Sequence, residues 1–219
     1  MGTPEEGEEG LLMDIITGRD GDVDNWKEVM LIYGSALKQI GTKLEILNDE
    51  FQHVHSYNPI EHIKMRIKSM QSIMDKLERK NIPYSFDNVM ANINDIAGIR
   101  VICSFTSDIY KIAKMLASQN DMNVLEIKDY IKNPKPNGYR SLHQILEIPV
   151  FLKEGKTFVK VEVQFRTIAM DFWASVDHKL RYKKNVTNEE EIMEKLRICA
   201  DSITAIDEEM QKIRNMIEA

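Results

Sequence analysis

Four groups of residues in this chain carry side chains suited to work on phosphates. Lys68, Ser72, Lys76 and Arg79 fall in the segment 59–80, which reads as a helix. At 100° per residue the four lie within an arc of about 80°, with Ile63, Met70, Ile73, Met74 and Leu77 on the other side. Three cations around a serine can cradle a polyphosphate, although a solvated charged face has the same pattern. Arg66 projects from a different side of that helix. Next, Asp95 stands in Asn94-Asp95-Ile96-Ala97-Gly98-Ile99-Arg100, just ahead of a glycine-containing turn into an apolar strand. A carboxylate there can hold a metal at a sheet end; ordinary turns also use aspartate. The loop 129–143 then gathers Lys132, Lys135, Arg140, Tyr130, Tyr139 and His143 around Pro134, Pro136 and Gly138. Anionic, planar ligands need cations for phosphate and an aromatic face for the base, while a mobile surface loop is the alternative. Finally, in Val159 to Arg166 the two-residue period puts Val159, Val161, Val163 and Phe165 on a core face and Lys160, Glu162, Gln164 and Arg166 on the other. Glu162 is thereby available to a cleft, as on any half-exposed strand face.

The elements that must position these groups can be read from periodicity. Trp26, Met30, Tyr33, Leu37, Ile40, Leu44, Leu47 and Phe51 recur in steps of four and three, a long helix over about 24–56 capped by Asp22 or Asp24. Ile192, Leu196, Cys199, Ile203, Ile206, Met210, Ile213 and Ile217 repeat the device over about 188–217. The two seams need partners, either each other or a second subunit. Between them the expected order is helix 59–80, strand 99–105, helix 107–118, strand 123–127, strand 144–150, strand 158–165 and helix 167–183. Lys153 to Thr157, with Gly155, reads as a hairpin turn, so the last two strands should be antiparallel. The fold class is α+β, a mixed sheet flanked by helices. Residues 22–219 read as one domain, and the Gly- and Glu-rich opening 1–21 as a disordered tail.

Composition narrows the function. With 219 residues and 43% hydrophobic content the chain can bury one sizeable core. A formal charge of −6 and a pI near 5.5 disfavour general nucleic-acid binding, despite a small basic cluster at Arg181, Lys183 and Lys184. Cys103 and Cys199 both lie on apolar stretches and read as reduced core thiols, which fits a cytoplasmic protein. No apolar run reaches the roughly 20 residues of a membrane span.

Taken together, Arg66-x-Lys68-x-x-x-Ser72-Ile73-x-x-Lys76-x-x-Arg79, Asp95-Ile96-Ala97-Gly98-Ile99-Arg100, Asp129-Tyr130-Ile131…Gly138-Tyr139-Arg140-Ser141-Leu142-His143 and Val161-Glu162-Val163-Gln164-Phe165-Arg166-Thr167 resemble, in order and spacing, the synthetase domain of RelA/SpoT-type enzymes. Ala169-Met170-Asp171-Phe172-Trp173 and Ile206-Asp207-Glu208-Glu209-Met210 are most similar to the single-domain small alarmone synthetases. The likeness runs from about Trp26 to the end of the chain. It implies a nucleotidyltransferase-like fold with a sheet of about five strands. It also implies a Mg²⁺-dependent transfer of diphosphate from ATP to the 3′-hydroxyl of GDP or GTP, giving guanosine tetra- or pentaphosphate and AMP.

By the same resemblance Lys68, Ser72, Lys76 and Arg79 hold the ATP phosphates, while Arg66 and Arg100 stack on the adenine. Asp95 and Glu162 hold Mg²⁺, and Glu162 accepts the proton of the attacking hydroxyl. Tyr139 stacks on guanine, with Lys132, Lys135, Arg140, His143 and Gln164 as further contacts of the guanine nucleotide. Asp171 accepts from the guanine N1 and N2 hydrogens, which adenine lacks. The family's hydrolases carry a His-Asp metal dyad, and no His-Asp dipeptide occurs here, so synthesis without hydrolysis is expected. A homotetramer is implied as well. Two rivals stay open: a related transferase acting on the 3′ end of tRNA, and a non-catalytic nucleotide- or RNA-binding module.

Overall fold

The computed structural model describes residues 21–181 and 188–218. Helix α1 (Gly21–Val54) buries Val29, Ile32, Tyr33, Ala36, Leu37, Ile40, Leu44, Leu47 and Phe51. This stripe is broader than a four-three seam because the helix lies on a sheet rather than against one partner helix. Ile40 and Leu44, fully buried, contribute about 1.5–3 kcal/mol each relative to exposure. Asp22 and Asp24, expected as caps, lie inside the helix. Acidic residues suit the first turn as well as the cap, so composition could not separate the two positions.

The segment 59–80 is not one helix. It divides into strand β1 (Ile60–Ile67) and helix α2 (Met70–Arg79), joined at Ser69, whose hydroxyl accepts from Ser72 N and so caps the helix. Ile63, Met65 and Ile67 alternate with Lys64 and Arg66 at strand period, but a bulge between Ile60 and His62 breaks the alternation at its start. Lys68 therefore sits in the connection, not on the helix. A short α3 (Phe86–Asn92), capped by Ser85, was not foreseen.

The remaining elements are β2 (Ala97–Cys103), α4 (Thr106–Ala117), β3 (Asn123–Asp129), β4 (Leu142–Leu152), β5 (Gly155–Thr167), α5 (Ile168–Arg181) and α6 (Glu189–Glu218). The five strands form one sheet in the order β1-β2-β5-β4-β3; β2 and β5 run parallel and every other pair antiparallel. The β4–β5 hairpin turns at Gly155, whose φ of 136° suits glycine. One sheet face, with Val101, Leu146, Val161, Val163 and Phe165, packs under α1 and α4 into the main core. The opposite face carries Lys64 and Arg66 of β1, Arg100 of β2, His143 of β4 and Glu162, Gln164 and Arg166 of β5, while Gln144 of β4 lies on the core face and donates to Ala113 O of α4 at 3.2 Å.

Helix α6 packs chiefly on α5, where Leu196 and Ala200 meet Trp173 and the Trp173 indole donates to Leu196 O at 3.0 Å. Cys199, expected in the core, is exposed, as are Ile206, Met210, Ile213 and Ile217. The stripe meets the chain at Ile192, Leu196 and Ile203, with Ala200 beside them, while Cys199 and its second half from Ile206 on turn outward. Further along, Arg214 ties α6 to the core. Its guanidinium donates to Asp108 Oδ1 at 2.8 Å and lies between the rings of Tyr57 and Phe105, 4.4 and 4.8 Å from their centroids. Tyr57 donates to the other oxygen of Asp108 at 2.6 Å. Residues 1–20, which include most of the expected tail, and the basic cluster's Lys183 and Lys184 lie outside the described residues.

Candidate functional site

Strand register sets the floor of the site. Arg66, Gly98, Glu162 and Ile145 form one row across β1, β2, β5 and β4; Lys64, Arg100, Gln164 and His143 form the next. Cross-strand partners share a face, so these side chains rise on the side away from α1 and α4. Gly98, between Arg66 and Glu162, leaves the floor open. A cavity of about 460 Å³ is lined by Lys64, Arg66, Asp95, Gly98, Arg100, Glu162 and Gln164. A second, of about 650 Å³, shares Arg66, Arg100 and Gln164 and extends to Tyr139, Arg166, Ser175, Asp177, His178 and Lys179.

Asp95 precedes β2 and receives two lysines: Lys68 Nζ lies 2.8 Å from Oδ2 and Lys76 Nζ 2.8 Å from Oδ1. Lys68 reaches it because its backbone N–H bonds Ile96 O at 2.8 Å, extending the β1–β2 ladder by one rung. Lys76 comes from the last turn of α2. Burial pushes the Asp95 carboxyl up, but the two lysines outweigh it and hold the group below the usual carboxylate range. Ser72 lies in the first turn of α2 beside Ser69, and that turn bears no acidic residue, so the helix end is left electropositive.

Glu162 is held at both oxygens, by His143 Nδ1 at 3.1 Å and by Gln164 Nε2 at 2.6 Å. Burial raises its carboxyl, His143 and Gln164 more than reverse this, and the nearby charge of Asp95 works in the raising direction. Both carboxylates are thus ionised, close enough to sense each other, and open to one cavity. That arrangement fits a hard divalent cation such as Mg²⁺, which takes one or two carboxylates and completes its shell from phosphate and water. Among the described residues no cluster of three or more His, Cys, Asp or Glu suited to a metal occurs.

Above the floor, the 130–141 loop returns Tyr139 to the sheet. Gly138, at φ 86°, closes the turn with its N–H on Lys135 O at 2.8 Å. Tyr139 is flanked by Lys135, whose Nζ lies 4.9 Å from the ring centroid, and by Arg166 at 5.2 Å. Burial lowers the Lys135 ammonium, Glu162 opposes this, and Lys128, Arg166 and Lys76 add to the lowering. Asp171, in the first turn of α5, accepts on Oδ1 from both Arg100 (3.0 Å) and Arg166 (2.9 Å).

The structure therefore brings together Arg66, Lys68, Ser72, Lys76, Asp95, Arg100, Lys135, Tyr139, His143, Glu162, Gln164 and Asp171. Three candidates stand apart. Arg79 is exposed in the last turn of α2, its Nε on Asp75 O. Lys132 is 72% exposed and pairs with Asp129 beside the Tyr110 ring. Arg140 turns toward α6, donating to Ile131 O at 2.9 Å with Asp201 at 3.8 Å. Tyr139 and Arg140 are adjacent in a returning loop and face opposite ways, which a cluster read from sequence cannot show. Arg166 was passed over as a site residue, although its place on the Glu162 and Gln164 face was a usable signal. Tyr130, from the same loop cluster, lies edge-on to His143 at 5.2 Å.

Residues 65–187 match the family model described as "Region found in RelA / SpoT proteins". The chain is 44% identical to the GTP pyrophosphokinase YwaC of Bacillus subtilis over 196 residues, which make up 90% of this chain and 93% of that protein. Its fold is similar to that of the small alarmone synthetase 1 of Bacillus subtilis bound to its product pppGpp, with a TM-score of 0.82 and 33% identity over 89% of this chain and 98% of that one. The same enzyme bound to AMPCPP matches at a TM-score of 0.74 and 29% identity, over 89% and 98% of the two chains. Among the described residues no helix is long and apolar enough to cross a membrane.

Proposed function

As the chain belongs to the RelA/SpoT family, we propose that it is a GTP pyrophosphokinase, transferring the β,γ-diphosphate of ATP to the 3′-hydroxyl of GDP or GTP and releasing AMP. The observation that carries this reading is the meeting of Asp95 and Glu162 on one cavity beside Lys68 and Lys76. The lysine pair, Ser72 and the open N-terminus of α2 form the cradle for the ATP phosphates. Arg66 and Arg100, which both line the two cavities, supply planar guanidinium faces for the adenine. On the other side, Tyr139 offers its ring to the guanine, with Lys135 as the nearest phosphate contact. Oδ1 of Asp171 is taken by two arginines, so Oδ2 is the atom left to read the guanine edge.

The 3′-oxygen bonds to the β-phosphorus, the bond from that phosphorus to the bridging oxygen of AMP breaks, and the hydroxyl proton passes to Glu162. Asp95 and Glu162 would hold Mg²⁺, which would offset the negative charge that develops on the transferring phosphates. Arg79, Lys132 and Arg140 are given no part, since their contacts lead away from the cleft. The outward stripe Ile206, Met210, Ile213 and Ile217 supports assembly into a homo-oligomer, a homotetramer by family likeness, working in the cytoplasm.

The test uses ATP labelled at the β-phosphate with GDP, GTP or tRNA as acceptor, and chromatography of the products. Label on the guanine nucleotide with matching AMP is expected. Label on tRNA alone would replace the acceptor, and no AMP with any acceptor would remove the enzymatic reading.

A further inference from the structure

A stacking platform needs only the ring of Tyr139, yet its hydroxyl has three partners, each at 2.9 Å: Ser141 Oγ, Arg166 Nη2 and His143 Nε2. Arg166 can only donate, and with Ser141 donating as well the phenol's own proton goes to His143 Nε2, the neutral tautomer with its proton on Nδ1. His143 then donates from Nδ1 to Glu162 Oε1. Gln164 donates to Glu162 Oε2 at 2.6 Å and accepts from the same Arg166 Nη2 at 3.1 Å. Tyr139, His143, Glu162, Gln164 and Arg166 therefore form a closed hydrogen-bonded circuit.

Arg166 is the member hardest to justify as packing. It is 5% exposed, and its Nε is buried without a partner. Burying a guanidinium short of one hydrogen bond is costly, and apolar residues would fill such a place at no loss of stability. Its planar fork reaches Tyr139 and Gln164 from Nη2 while Nη1 holds Asp171, a geometry that a lysine cannot reproduce.

We propose that Arg166 and the Tyr139 hydroxyl are positioning groups that orient His143 and Gln164, and through them fix the Glu162 carboxylate relative to the ring on which the guanine lies. The base and the acceptor's platform are then one preorganised unit rather than two independent contacts. The inference rests on the reading of Glu162 as base and Tyr139 as platform.

Steady-state kinetics of Tyr139→Phe, Arg166→Met, Arg166→Lys and the Tyr139→Phe/Arg166→Met double variant test it, with thermal unfolding as control. Tyr139→Phe keeps the ring, so KM for the guanine nucleotide should stay within about twofold while kcat falls by about tenfold or more. Arg166→Met should lose kcat comparably, and the double variant should be no worse than Arg166→Met alone, because both changes break the same circuit. Parental kcat in Tyr139→Phe, or losses that multiply in the double variant, overturn the proposal. Should Arg166→Met fail to fold, Arg166→Lys carries the test: a folded protein with lowered kcat supports the proposal, and parental kcat overturns it. Glu162→Gln separates the two levels. Turnover retained there removes the base reading itself; turnover lost there but parental in Tyr139→Phe and Arg166→Lys removes only the positioning role.

Discussion

Replacing Gly138 with alanine should loosen the acceptor loop from α6. The glycine is buried at φ 86°, and a Cβ there would lie 2.5 Å from Ala200 Cβ and 3.4 Å from Arg197 Cα. Holding an alanine in the left-handed region costs roughly 1–2 kcal/mol. Two methyl carbons cannot approach to that distance, so the loop or the helix must shift, and overpacking of this kind costs about 1–3 kcal/mol. The sum is about 2–5 kcal/mol, or a fall in Tm of roughly 5–15 °C for a domain of this size. Ala200→Gly removes the opposing methyl at a helix-propensity cost of about 1 kcal/mol. In its presence Gly138→Ala should cost less by the clash share, a coupling of about 1–3 kcal/mol. Denaturation of the parent, both single variants and the double, at one protein concentration, measures the cycle. A cost for Gly138→Ala below about 0.5 kcal/mol, or strictly additive effects, would refute the argument that α6 braces the turn that presents Tyr139.

Other expectations follow from the same geometry. Arg214→Met leaves the Asp108 carboxylate buried with only Tyr57, so stability should fall by about 3 kcal/mol, and adding Asp108→Asn should recover much of it; denaturation midpoints check both. Lys76→Ala should raise KM for ATP by about 30-fold and leave that for the guanine nucleotide within about twofold, since one charge-assisted contact is worth about 2 kcal/mol. Arg140→Ala should leave KM for the guanine nucleotide near the parental value, because its guanidinium is spent on Ile131 O; a large rise would return it to the site. EDTA should abolish AMP release and Mg²⁺ restore it, and full activity in EDTA would count against a metal role for the carboxylate pair.

Strands β2 to β5, the hairpin and the two long helices were legible from their apolar spacing and turn residues. The β5 alternation alone placed Glu162, Gln164 and Arg166 on one face. The 59–80 segment was misread because the bulge after Ile60 hides a two-residue period, and the apolar residues of α2 continue it at helical spacing. Lys68 and Lys76 do converge, but from the strand exit and the last turn of α2 rather than from one helix face. Cys199 was misplaced because a four-three repeat says that a helix has a partner without saying whether that partner lies within the chain. The circuit through Tyr139, His143, Glu162, Gln164 and Arg166 depends on β4–β5 register and a loop return, which leave no trace in spacing.

Glu162 is the centre of the proposed reaction. Glu162→Gln preserves the shape of the side chain and removes its charge, so binding of a non-hydrolysable ATP analogue should persist while AMP release in the presence of GTP falls by about 10³-fold or more. AMP release at the parental rate would contradict the assignment of that carboxylate as the centre of the reaction.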